Sequence, residues 1–133
     1  MKINEFGSKN NPKIVLIPGT MMCWKQFGSV IPFLEEDYHI LAVSTDGFDG
    51  DSDSTFTTAK ASAHKLAMSL REKGVDEVEL VFGESFGSAT AAVIFNTQEV
   101  KVNSIIMNGP QRFDFGFLTK PIASMIPGNQ YHF

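Results

Sequence analysis

Apolar and polar residues fall in blocks along this chain. Lys13-Ile14-Val15-Leu16-Ile17 is a continuous β-branched and aliphatic run closed by Pro18-Gly19. That is the pattern of a strand buried on both faces. Tyr38 to Val43, Val78 to Phe82 and Val102 to Met107 read the same way. Lys2 to Phe6 is a shorter strand, ended by the dense turn signal Gly7-Ser8-Lys9-Asn10-Asn11-Pro12. Helical spacing is clearest over Thr57 to Lys73, where Ala63, Leu66, Ala67 and Leu70 make one apolar stripe among good helix formers. Thr55 or Thr57 is placed to cap its start, and Gly74 its end. Ser88 to Asn96 is small and apolar, as in a helix packed against a sheet. Phe27, Val30, Ile31 and Leu34 predict a short helix or turn-rich segment within Trp24 to Leu34, with Pro32 inside it.

The predicted order is β, β, short helix, β, helix, β, helix, β. Strands alternating with helices require right-handed crossovers and a mainly parallel sheet. The expected class is α/β, with about five strands and helices on both faces of the sheet.

Candidate chemistry sits where the fourth strand meets the helix that follows it. Gly83-Glu84-Ser85-Phe86-Gly87 matches G-x-S-x-G, a short pattern that gains weight from its strand–turn–helix setting. A serine on such a turn adopts a strained backbone and projects Oγ from the sheet edge, and the flanking glycines permit close backbone approach. The next helix points its N-terminus at a developing oxyanion, with the Phe86 N–H as one donor. Glu84 holds the variable position and is given no catalytic role. The competing reading is a glycine-rich turn that binds phosphate or nothing, which would not need a central serine.

The loop after the second strand, Pro18-Gly19-Thr20-Met21-Met22-Cys23-Trp24, precedes Val30-Ile31-Pro32-Phe33-Leu34. With the serine pentapeptide, these residues resemble the α/β-hydrolase family, whose members often carry His-Gly, an aromatic residue and a V-I-P-x-L helix here. Pro18 replaces the histidine of that pair. The resemblance implies that Thr20, or alternatively Met21, supplies the second oxyanion N–H. It also implies that Asp46-Gly47-Phe48-Asp49-Gly50-Asp51-Ser52 is a structural loop, with Asp side chains bonding the turn. This Asp cluster lacks the spacing of an EF-hand. Cys23 is read as a loop or core residue rather than a nucleophile. Trp24 is expected to pack near the site. Met21 and Met22 either line an apolar acyl pocket or fill gaps.

By the same resemblance, the nucleophile is followed in chain order by an Asp or Glu and then a His. About 25 residues follow Met107, too few for the strands that carry both. The resemblance thus spans nearly all of this chain but only the first half of the family's catalytic domain. His39 and His64 precede Ser85 and are read as surface or packing residues. His132 has the right order and is the candidate base, acting in trans if the tail crosses to a second subunit. Asp114 is the candidate acid, against a plain loop reading beside Arg112. Residues 1–133 are read as one truncated domain, with 111–133 an apolar tail where the family's lid begins. Phe113, Phe115, Phe117, Leu118, Ile122, Met125 and Ile126 make that tail too apolar to remain free. An unpaired last strand invites pairing with another chain, so a homodimer or higher oligomer is expected through this edge or the tail.

Composition narrows the partners. The 133 residues carry a net charge of -4, which gives no reason to expect nucleic acid or an anionic membrane. One cysteine excludes an internal disulfide framework and fits a reducing compartment. Neither an N-terminal apolar leader nor a run near the ~20 residues of a membrane span is visible, so a cytoplasmic location is expected. The reading is a serine hydrolase acting on a small ester or acyl substrate, without metal or organic cofactor. Its rival is a hydrolase-derived binding or oligomerisation domain without catalysis.

Overall fold

A computed structural model describes residues 1–47 and 55–110. Among the described residues five strands form one sheet: β1 (Lys2–Phe6), β2 (Lys13–Ile17), β3 (His39–Ser44), β4 (Glu77–Glu84) and β5 (Lys101–Asn108). Their order is β1-β3-β2-β4-β5, so β2 lies at the centre. Only β1 runs antiparallel, with Ile3 opposite Val43. The other pairs are parallel, with Val15 opposite both Leu41 and Val81, and Val81 opposite Ile105. Three helices connect them: α1 (Ile31–Leu34), α2 (Ala59–Glu72) and α3 (Gly87–Thr97). The expected α/β class and mainly parallel sheet are what the structure shows.

Alternation along the central strands divides the core. Val15, Ile17, Leu41, Val43 and Val81 face α2 and α3, and pack with Leu66, Leu70 and Ile94, each of them fully enclosed. Ile14, Leu16, Ile40 and Ala42 face the opposite way, toward Phe27 and Ile31. Phe27 belongs to a 3-10 turn at Trp24–Phe27. Trp24 lies against Phe6 with ring centroids 5.2 Å apart, so it serves this second core. Both faces thus carry helices, but unequally. Over β4 and β5 the second face opens into a groove of about 670 Å³ lined by Leu16, Phe27, Leu80 and Phe82. On β5 Val102 is buried but Ile106 is exposed, so the strand is not one buried run.

Local signals placed most element ends within a residue or two. The cap of α2 falls one residue beyond the nearer candidate. Thr58, rather than Thr55 or Thr57, has the extended backbone a cap needs, and its Oγ1 accepts from Ala61 N–H at 3.0 Å. Three threonines within Thr55-Phe56-Thr57-Thr58 cannot be ranked by residue type alone. No helix among the described residues is long and apolar enough to cross a membrane.

Candidate functional site

The C-terminal ends of parallel strands converge on the serine turn. β4 delivers Ser85 just past Glu84, and α3 leaves at Gly87. Ser85 is half-buried with φ +46°, the left-handed region that disfavours a residue with a Cβ. Its N–H donates to the Asn108 carbonyl at the end of β5, at 2.7 Å. Its carbonyl accepts from Ser88 N–H at 3.0 Å, which starts the helix. The strained turn is therefore held from both sides.

Both motif glycines are required by contact. A methyl group on Gly83 would lie 2.7 Å from the Gly87 carbonyl oxygen and 2.8 Å from Ala91 Cβ. On Gly87 it would lie 2.5 Å from the Pro18 carbonyl oxygen and 2.6 Å from that of Ile17. The serine turn is pressed against the end of β2, which brings in the Pro18-Gly19-Thr20 loop. A methyl on Gly19 would sit 3.5 Å from Ser85 Cβ and 3.6 Å from Glu84 Cγ. Gly19 to Met22 forms a turn closed by Met22 N–H to the Gly19 carbonyl at 3.2 Å, with Met21 at φ +61°. Thr20, Met21 and Met22 are exposed. Phe86 packs edge-on against Phe56, with centroids 4.6 Å apart.

Three supporting residues escaped the sequence reading. Asn108 holds Ser85 N–H through its carbonyl, and its side chain donates to Glu84 Oε2 at 2.8 Å. Ser88 Oγ donates to the Gly83 carbonyl at 2.8 Å. Gln26 Oε1 accepts from Gly19 N–H at 3.2 Å. The in-register pair Glu84–Asn108 follows only once β4 and β5 are aligned. Gln26 carried no distinguishing signal, since Lys25 beside it is equally polar.

Neither described histidine faces the serine. His39 is buried at the start of β3, the opposite end of the sheet, and lies 3.0 Å from Glu5 Oε2. His64 on α2 lies 2.6 Å from Glu99 Oε2. The sequence reading of His39 as a surface or packing residue is sharpened: it belongs to a charge cluster. In that cluster Glu5 is held down from 4.5 to about 2, first by the hydrogen bond from Lys73 Nζ at 2.7 Å, then by that from His39. A carboxyl with a depressed folded value stabilises the fold above its unfolded value, and loses that contribution as pH falls toward the folded one. Wild-type stability is thus expected to fall between about pH 4.5 and 2 more steeply than that of Glu5→Gln. Urea midpoints across this range check it, and parallel curves contradict it.

Asp46 is buried and pairs with Lys65 and the Met1 amino group in an ion-pair cluster. Phe48, Asp49, Gly50, Asp51 and Ser52 of the same loop lie outside the described residues, as do Asp114 and His132. Among the described residues no group of three His, Cys, Asp or Glu side chains could hold a metal ion. Cys23 is half-buried and opens the 3-10 turn.

Protein-family models and curated proteins give no match to the chain. Solved structures do match. A protein from Desulfitobacterium hafniense assigned to the α/β-hydrolase family is 28% identical with TM-score 0.81, over 92% of this chain and 49% of that one. A membrane phospholipase A described as a bacterial virulence factor is 26% identical with TM-score 0.71, over 77% of this chain and 34% of the other. An epoxide hydrolase is 25% identical with TM-score 0.69, over 77% and 36%. The chain spans about half the length of the first structure and about a third of the other two. Strand order and these likenesses together show that the chain has the α/β-hydrolase fold, over about half the length of the first of these structures.

Proposed function

We propose that Ser85 is the nucleophile of a serine hydrolase acting on carboxylic esters or related acyl compounds. The observation that carries this is the φ of +46° at Ser85, maintained where Gly83 and Gly87 allow α3 and the end of β2 to approach the turn. Strain of this kind costs of order 1–3 kcal/mol and persists where the surroundings impose it. A turn that served only to connect β4 to α3 would not need it. Ser85 Oγ attacks the acyl carbonyl. Phe86 N–H and Thr20 N–H, with Met21 N–H as the alternative, stabilise the tetrahedral oxyanion, aided by the N-terminus of α3. His132 is the candidate base and Asp114 the candidate acid. No metal or organic cofactor enters these steps.

The second reading is a hydrolase-derived binding or oligomerisation domain. It is favoured by one observation: His39 and His64 are both engaged by glutamates away from Ser85. A second copy would then meet the edge strand β5 or residues 111–133, and a clean monomer by light scattering counts against that assembly. Fluorophosphonate labelling separates the two readings. Rapid labelling lost in Ser85→Ala supports the hydrolase; a folded protein that takes no label supports the binding domain.

A further inference from the structure

We infer that Gln26 is a positioning residue that sets the Gly19–Met22 turn beside Ser85. The inference rests on the hydrolase reading of Ser85 above. Both backbone groups of Gly19 are engaged: its carbonyl accepts from Met22 N–H at 3.2 Å, and its N–H donates to Gln26 Oε1 at 3.2 Å. The first bond is local and closes the turn. The second reaches seven residues along the chain and ties the turn to something outside itself.

That outside support is rigid. Gln26 N–H donates to the Cys23 carbonyl at 3.0 Å, and its neighbour Phe27 is buried edge-on against Phe82, with centroids 5.9 Å apart. Phe82 lies on β4, the strand that delivers Ser85. The link therefore runs from β4 through Phe82 and Phe27 to Gln26, and then to Gly19 and back to Ser85. The turn needs such support. It is exposed, and Met21 sits in it at φ +61°, a conformation that an unrestrained methionine would leave. Without the Gln26 acceptor, Gly19 N–H loses its partner and the turn can rotate, taking the Thr20 and Met21 N–H groups away from the oxyanion position.

The test compares wild type with Gln26→Met, which keeps side-chain length but has no strong acceptor, and Gln26→Glu, which keeps the acceptor. Two quantities are read: hydrogen exchange of the Gly19 amide by NMR, and the limiting rate of fluorophosphonate labelling at saturating reagent. In Gln26→Met, Gly19 exchange is expected to rise about tenfold and the limiting rate to fall about tenfold, as for loss of one hydrogen bond. The half-saturating reagent concentration stays unchanged. Gln26→Glu keeps the protection and most of the rate, and β4 amide exchange reports an intact fold. Unchanged Gly19 exchange in Gln26→Met overturns the inference. So does faster exchange with an unchanged labelling rate, because the bond would then be structural only. Equal losses in Gln26→Glu and Gln26→Met also overturn it. An unlabelled wild type overturns the Ser85 reading, and the positioning role falls with it, while the exchange data still show whether the bond holds the turn.

Discussion

Gly87→Ala is expected to lower stability by about 3 kcal/mol or more, equivalent to roughly 10 °C in melting temperature for a domain of this size. Two effects oppose each other. Gly87 begins α3, and alanine is the better helix former by about 1 kcal/mol. Against this, the added methyl would lie 2.5 and 2.6 Å from the Pro18 and Ile17 carbonyl oxygens. Both are backbone atoms of the central strand and the loop after it, so neither can swing aside as a side-chain tip would. Relief would require α3 to lift from the sheet where Ala91 and Ile94 are fully buried. The clash therefore outweighs the propensity gain. Gly74→Ala is the control: φ is +73° but no atom lies within 4 Å, so only the backbone cost of about 1 kcal/mol applies. Thermal or urea unfolding of both variants checks the difference, and equal losses would contradict the packed-turn account.

Ser85→Ala is expected to reduce turnover of a short-chain nitrophenyl ester by at least about 10³-fold while leaving stability little changed or slightly improved. Loss of a nucleophile costs this much because the covalent path disappears, and what remains comes from the oxyanion donors and binding alone. The stability sign follows from the backbone. Alanine removes one hydroxyl from a half-buried position and keeps the same strained φ. A steady-state assay beside a melting curve separates the two quantities. A variant that folds and hydrolyses the ester at the wild-type rate would remove Ser85 from the mechanism.

The strands were legible because burial on both sides leaves an unbroken apolar run, as in Lys13–Ile17, and β2 has these bounds in the structure. The serine turn was legible because its chemistry fixes residue types at fixed spacing: a glycine where Ala91 approaches, a serine at the strained position, a glycine where β2 crosses. Its supports were not legible. Asn108 acts through its backbone carbonyl, which every residue possesses, and only the alignment of β4 with β5 places it. Gln26 acts across a loop whose path no local rule predicts. Continuous burial was expected over the whole sheet, yet β4 and β5 leave a groove on one face. Strand periodicity reports the average environment of a strand, not which of its faces lacks a partner.

Locating the fluorophosphonate adduct by peptide mass spectrometry tests the central claim most directly. The sequence around the turn offers two serines three residues apart, and the structure gives them different settings. Ser85 is half-buried on the strained turn, whereas Ser88 is buried with its Oγ bonded to the Gly83 carbonyl at 2.8 Å. The account predicts one adduct per chain, on Ser85, absent from Ser85→Ala. No adduct on the folded wild-type protein, or an adduct that remains in Ser85→Ala, would contradict it.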